Sequence, residues 1–437
     1  MRTLLPKSSL LRPMLVLVAI VLGTVFLVYS YHASSRMTHG FAMYYTYSRT
    51  LLEGGDFHSL YDYSYFNARL SAYGIAGIED MPNNLPTTSL ALLPVAWLSP
   101  AASKVAWTVI SIILFGLSLV LLFRLFDIRL SDNSAWVLLS LCLGWRPIFD
   151  CIALGQVYFL LLFLFTLSVW GLGAKRSLIG GAALSLGSVV KGYGVIPLVW
   201  SAVRKQYAFA LSAVLFCALI VLGSLPWLGI ASWERFATQV VAHLGQRPTD
   251  AHVAFQNING LLFHLFTYDE RWIPSPLVVL PTWTVTGLSY ALNLAVVLVV
   301  FRSAKGTTVR DRVLSYAAMI AVSVVTAPLA EEYHFVLFLP LVVGLGSRWK
   351  EDERTNAWPR STELLFLVSS VALALPLHYK TLQASTFPLI LLAYPKLYAG
   401  LGVLTTFCLS TRDRENSSAG FSGEPAAVQS TAHGDRP

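Results

Sequence analysis

The sequence predicts an all-α polytopic membrane protein of about twelve transmembrane segments with a long structured first outer loop, and three observations predict it. First, only 12% of the 437 residues are charged while 55% are hydrophobic. A soluble domain carries roughly 25% charged residues, so this chain lacks the polar surface to cover a water-facing fold of its size. Second, residues 14–31, 105–123, 157–174, 207–225, 277–301 and 387–409 are each nearly free of charge, and about 20 apolar residues cross the hydrocarbon of a bilayer. Third, short basic connections recur between stretches of apolar material.

Those connections are Arg2–Arg12, Arg124–Arg129, Lys175–Arg176, Arg204–Lys205, Arg302–Arg312, Arg348–Arg360 and Arg412–Arg414. With all seven on the cytoplasmic side, the chain leaves and returns between neighbours. Six hairpins follow, with about twelve crossings and both termini inside. The first apolar block has no small-residue cleavage site and is followed by many others, so it is expected to stay as a first span. The membrane domain covers residues 1–410. Residues 411–437 form a tail that is Ser-, Gly- and Ala-rich from Asn416 onward, and it is expected to be disordered.

On the outer side, residues 32–104 and 231–275 form two long loops, and the remaining outer connections are short turns near 144–156, 188–193, 326–334 and 378–386. Between Lys175 and Lys205 the chain makes two passes in about thirty residues, with Lys191 at the bend. Short or broken spans line cavities rather than facing lipid. Within the first loop, Tyr44, Tyr45, Tyr47, Leu51 and Leu52 follow helical spacing up to a glycine stop at Gly54–Gly55, and a second amphipathic piece runs from Tyr61 to Tyr73. Both are expected along the outer interface. Residues 85–99, apolar and bounded by prolines, are expected to form a re-entrant or interfacial helix.

The net charge of +8 is spread over segment ends rather than gathered on one face, which argues for topology and against nucleic-acid binding. Cys142, Cys151, Cys217 and Cys408 have no CxxC spacing and are expected to be inert thiols of the apolar interior.

Ionisable residues at membrane depth are costly and point to function. Five places stand out, all assigned to the outer half: Asp56, Asp62 and Asp80 in the first loop; GlyGlnValTyr at 155–158, just after Arg146 and Asp150; Lys191, flanked by apolar residues and glycines; GlnAsnIleAsnGly at 256–260; and AlaGluGluTyrHis at 330–334. Asp56 and Asp62 are equally compatible with solvated turns, and Gln156 and Asn257 with helix caps. Lys191 has no adjacent acid and requires a polar cavity. Glu331, Glu332 and His334, crowded into one turn, suggest an ion pair with Lys191 or Arg146, or a ligand contact. No zinc HExxH motif, P-loop, dinucleotide-binding glycine pattern or GxSxG elbow occurs. A loop acid, a basic residue at depth, and amide and acid/His turns facing one compartment suit an anionic lipid phosphate held beside a sugar acceptor.

The runs HGFAMYYTYSRTLLEGGDFHSLYD (39–62), DMPNNLPTTSLALLPVAWLSP (80–100), GQVYFLLL (155–162), VVKGYGVIPL (189–198), QNINGLL (256–262) and PLAEEYHFVLFLP (328–340) stand in an order that resembles glycosyltransferase family 87. The resemblance extends over residues 39–345, to the polyprenyl-phosphate-mannose-dependent mannosyltransferases of the GT-C class. It implies a GT-C-like bundle in the bacterial cytoplasmic membrane and an inverting enzyme with a catalytic carboxylate in the first outer loop. It also implies a polyprenyl-phosphate hexose donor with mannose as the sugar, a glycolipid or glycan acceptor, membrane lipids as surroundings, and no cofactor. Where many members place an aspartate before the first aromatic, this chain has His39–Gly40–Phe41. The base is therefore expected to be Asp80 or Asp62, with phosphate binding by Lys191 and Arg146, sugar contacts from Gln156, Asn257 and His334, and Glu331 and Glu332 as further substrate-binding residues. A transporter or lipid flippase and a non-catalytic member of the same fold remain the alternatives.

Overall fold

The computed structural model describes residues 10–421 apart from 81, 245–250, 307 and 353–357. Among them the chain is helical throughout, with two isolated β-bridges, Phe255 to Glu331 and Asp269 to Ile273. The helices in chain order are α1 (Leu11–Ser34), α2 (His39–Leu52), α3 (Tyr63–Ala72), α4 (Pro100–Leu125), α5 (Asn133–Leu143), α6 (Arg146–Leu154), α7 (Tyr158–Gly173), α8 (Ser177–Val190) and α9 (Val195–Val203). They continue with α10 (Tyr207–Leu228), α11 (Ile230–Arg235), α12 (Ile258–Phe266), α13 (Thr282–Ser303), α14 (Val309–Val325), α15 (Leu339–Asp352), α16 (Arg360–Ala374) and α17 (Pro395–Phe421). The tail expected to be disordered from residue 411 is thus helical as far as Phe421, and its remainder lies outside the described residues.

Five stretches among the described residues are long and apolar enough to cross a membrane: α1, α4, Asn133–Leu154 (α5 with α6), α10 and α13. The protein is a multi-pass membrane protein. Several of the other helices expected to cross are shorter. At 1.5 Å per residue, the 14 residues of α8 rise about 21 Å and the 9 of α9 about 13 Å, against a hydrocarbon core of about 30 Å. These short pieces, with the turn 191–194 between them, flank the cavity described below.

The centre of the bundle is α14. From Val313 to Val325 every residue is buried, as befits a helix that is apolar all round. It is packed by α7, α9, α13, α15 and α17. At its N-terminus, Thr308 and Asp311 form a reciprocal capping box, and Asp311 also accepts from Arg348 at 2.9 Å.

Between α1 and α4 the chain builds the elements that shape the site. The tyrosine-rich run forms α2, but it does not lie in the outer interface as expected. Ten of its fourteen residues are buried because α4, α6 and the 86–90 segment pack around it. Tyr45 Oη donates to Leu98 O at 2.9 Å and Ser48 Oγ to Ser89 O at 2.6 Å. The 85–99 stretch is likewise not the helix expected. It is a single 3₁₀ segment, Pro86–Leu90, followed by turns; Pro94, inside the stretch, lacks the N–H a continuous helix needs there, while Pro100 opens α4. The four cysteines are free thiols.

The charge pattern makes a checkable statement about orientation. Reporter fusions at residues near 60 and 270 are expected to report the outer compartment, and those near 128, 205 and 305 the cytoplasm. A cytoplasmic signal at 60 would move every candidate site residue to the wrong side of the membrane.

Candidate active site

A cavity of about 740 Å³ opens between α2, Asp80 with residues 83–85, the α6–α7 turn, the α8–α9 turn and the 323–334 segment. Five residues singled out from the sequence line it: Asp80, Gln156, Lys191, Glu331 and His334. One flank is apolar, formed by Val195, Ile196, Phe236 and Leu244.

Gln156 reaches the cavity because α6 ends abruptly. Gly155 adopts φ +63°, the left-handed conformation that closes a helix C-terminus, and the amide of Gln156 donates back to Cys151 O at 2.9 Å. The buried Lys104 ammonium donates to Ala153 O at 3.3 Å and satisfies a further carbonyl of that end. A side chain at 155 would strike Lys104 and come within 2.7 Å of Phe41 Cβ. From the turn, Gln156 Oε1 accepts from Tyr44 Oη at 2.7 Å. The glycine at 40 follows from the same close approach, for a Cβ there would collide with the Gln156 amide and lie 2.9 Å from Leu154 O. The Gln156 side chain occupies the space that any residue larger than glycine at 40 would need.

Lys191 follows the last turn of α8, and that turn is held from outside the helix. Thr87 Oγ1 donates to Val189 O at 2.6 Å and Thr88 Oγ1 to Val190 O at 2.8 Å. The proline-bounded segment thus caps α8 at the point where the chain turns into the cavity. The Lys191 ammonium lies 5.8 Å from the centre of the Tyr44 ring, with Glu331 and Asp80 close enough to act on it through their charge. No carboxylate stands within ion-pairing distance of it among the described residues.

Glu331 is placed by the amide motif of residues 256–260. Gln256 N donates to Ala330 O at 2.7 Å, Asn257 Nδ2 donates to Pro328 O at 2.9 Å, and Phe255 bridges Glu331 through the backbone. These contacts fasten the segment before Glu331 to the start of α12. The Glu331 carboxylate then accepts from Tyr333 Oη at 2.9 Å. Next to it, His334 Nδ1 shares a 2.6 Å hydrogen bond with Tyr193 Oη, which stands 3.1 Å from Tyr158 Oη. The His334 ring stacks on Tyr158 with centroids 4.4 Å apart. Packing and hydrogen bonding together fix the imidazole rigidly against the cavity wall.

Five sequence candidates lie elsewhere, each for a local reason. Asp62 is the N-cap of α3, accepting from Tyr65 N at 2.9 Å. Arg146 pairs with Asp150 one helical turn on, at 2.8 Å. Asn257 is the N-cap of α12, accepting from Gly260 N at 2.6 Å, and acts on the site only through the loop it fastens. Glu332 points away from Glu331. It pairs with Lys396 at 3.0 Å, not with Lys191 or Arg146, and accepts from Tyr379 Oη. Asp56 is engaged within its own turn by Ser59 and His58. Partial burial raises its carboxyl, but the Ser59 hydrogen bonds and His58 outweigh this and hold it below the ordinary carboxylate range.

The cap assignment of Asp62 makes a separate prediction. Asn caps as well as Asp, so Asp62→Asn is expected to leave both activity and stability near wild type. Asp62→Ala is expected to lose about 1 kcal/mol of stability, read as a lowered thermal midpoint with transfer activity retained in the folded fraction. A catalytic loss in Asp62→Asn of the size expected for a base would contradict the cap role.

The cavity also holds groups the sequence did not signal: His39, Tyr44, Tyr193 and Tyr333. A tyrosine in an apolar run looks like any other core aromatic. Only the Tyr44–Gln156, Tyr193–His334 and Tyr333–Glu331 hydrogen bonds reveal these tyrosines as part of the polar wall.

A multi-pass helical bundle that holds carboxylates and a cation in a cavity with an apolar flank has the layout of a membrane enzyme acting on an amphiphile. The sequence profile of glycosyltransferase family 87 matches residues 85–340, more than half of the chain, and the protein belongs to that family. Among solved structures it is similar to ArnT from Cupriavidus metallidurans, bound to undecaprenyl phosphate (TM-score 0.42) and in the apo state (TM-score 0.37). In both comparisons the identity is 14%, covering 92% of this chain and 78% of that chain. No curated protein sequence matches significantly.

Proposed function

We propose that this membrane glycosyltransferase is a GT-C-class hexosyltransferase of the bacterial cytoplasmic membrane, with both termini cytoplasmic. It transfers mannose from a polyprenyl-phosphate donor to a glycolipid or glycan acceptor on the outer face. One observation carries the reading. A single cavity holds two carboxylates, an apolar flank, and a lysine with no carboxylate in contact among the described residues. These match the sugar, the isoprenoid and the phosphate of such a donor.

The chemistry is a displacement at the anomeric carbon. Asp80 accepts the proton of the acceptor hydroxyl as its oxygen attacks that carbon. The bond from the carbon to the phosphate oxygen breaks with inversion, and the electron pair leaves on the polyprenyl phosphate. Lys191 stabilises the negative charge that the phosphate gains. Gln156, Glu331 and His334 orient sugar hydroxyls, with Asn257 holding the Glu331 segment. Glu332 and Arg146, paired elsewhere, serve the surrounding structure. The reaction needs no nucleotide and no cofactor.

The direct test is purified protein with radiolabelled polyprenyl-phosphate mannose and a mixture of glycolipid acceptors. Label is expected to move to an acceptor with release of one polyprenyl phosphate per transfer. Donor carried across a vesicle membrane with its label intact would favour a flippase. Binding without transfer from any lipid-linked donor would make this a non-catalytic member.

A further inference from the structure

Asp80 lies at the end of a connection that is loosely built. From Tyr73 the chain leaves α3 through Gly74 at φ +78° and Gly77 at φ +73°. Apart from the buried Ile75, residues 74–79 are exposed or half-exposed. A segment of this composition samples many conformations unless something fastens it. A general base, by contrast, must be held to within a fraction of an ångström of its reacting geometry.

The fastening at Asp80 comes from a side chain of α3. Asn67, on the second turn of that helix, donates through Nδ2 to Asp80 O at 3.1 Å and accepts through Oδ1 from Asp80 N at 3.0 Å. Both polar groups of one amide therefore grip both backbone groups of one residue. The same Nδ2 donates to Tyr63 O at 2.8 Å, which fixes the amide rotamer to the helix it stands on. Beside the clamp, Tyr63 Oη donates to the Glu79 carboxylate at 2.7 Å, and His39 Nδ1 lies 3.1 Å from Glu79 O. Those contacts hold the preceding residue, whereas the bidentate grip of Asn67 falls on Asp80 itself.

We propose that Asn67 is a positioning residue for transfer: by clamping the backbone of Asp80 to α3, it sets where the carboxylate stands in the cavity. The assignment rests on the reading of Asp80 as the base. It explains how α3 belongs to the active structure although none of its residues lines the cavity. The amphipathic helix of the first outer loop is, on this view, the mount that carries the clamp.

The experiment is a double-mutant cycle on the full-length protein, with transfer from polyprenyl-phosphate mannose as the readout. Asn67→Ala is expected to lower kcat about 10- to 100-fold with KM for the donor unchanged, since misplacing a catalytic group by about 1 Å has effects of that size. Asn67→Asp keeps the acceptor for Asp80 N but loses the donor, and it is expected to fall between wild type and Asn67→Ala. In an Asp80→Asn background, Asn67→Ala is expected to change the residual rate by less than about twofold, because a clamp has no effect once the base is gone. Full kcat in Asn67→Ala would overturn the proposal, as would an equal fold-loss in both backgrounds, which marks a structural role. Thermal midpoints of all variants keep misfolding apart from mispositioning. If Asp80→Asn alone retains wild-type kcat, the base assignment itself has failed, and the clamp falls with it for that separate reason.

Discussion

Replacing Lys191 by methionine is expected to abolish transfer, with kcat/KM falling on the order of 10²- to 10³-fold or more, while expression and membrane insertion stay normal. The lysine stands in a protein-lined cavity at the end of α8, with its ammonium facing the Tyr44 ring. A desolvated cation that meets a phosphate there makes a charge-assisted contact of full strength, and removing one member of a buried charge pair forfeits about 3–5 kcal/mol. At about 1.4 kcal/mol per tenfold in rate, that is the loss expected. Methionine has a similar length and is apolar, so the fold should accept it in a membrane setting. Thr87 and Thr88 continue to cap α8 through its backbone, which keeps the turn in place. Rate and donor affinity, measured on the purified variant against wild type, decide the matter. Near-normal activity would show that the side chain merely extends along the cavity wall toward the interface.

Asp80→Asn is expected to reduce kcat by about a hundredfold to ten-thousandfold, with donor binding retained. Asparagine has the same shape and preserves the backbone that Asn67 grips, but it cannot accept the acceptor's proton. Asp56→Asn and Asp62→Asn are expected to stay near wild type, because the first acid is engaged in its turn and the second caps α3. The three variants together separate the acids by function, and a pH–rate profile should lose its acid limb only in Asp80→Asn. Should Asp80→Asn remain active, Glu331 is the other carboxylate on the cavity wall, with His334 beside it, and Glu331→Gln becomes the decisive variant.

Much of the site was legible because its chemistry is out of place in an apolar chain. Lys191, Gln156, Asp80, Glu331 and His334 stand out as polar residues in or beside hydrophobic runs, and the fold gathers them around one cavity. Some of the residues that lie elsewhere also carried a local signal. Arg146 and Asp150 are one helical turn apart, the spacing of an intrahelical ion pair. Asp62 precedes a helical stretch, where an acid commonly caps. Glu331 and Glu332 carried no such signal. They are neighbours in sequence, but the chain is extended at Glu331 and enters a 3₁₀ turn at Glu332. The second acid thereby turns to Lys396, a residue from the start of α17.

The sequence by itself determined that this chain lives in a membrane, where its charged connections fall, and which polar residues stand out of place in apolar runs. Those are sums over short windows of apolar and charged side chains, and solvation alone reads them. Tertiary structure decided that α2 is buried rather than laid on the interface, and that the 86–90 segment caps α8. It also decided that Gly40 makes room for the Gln156 amide, and which acid of the Glu331–Glu332 pair faces the cavity. Each of these depends on groups tens to hundreds of residues apart coming within about 3 Å, and the free energy of such contacts belongs to the packed fold rather than to any one segment.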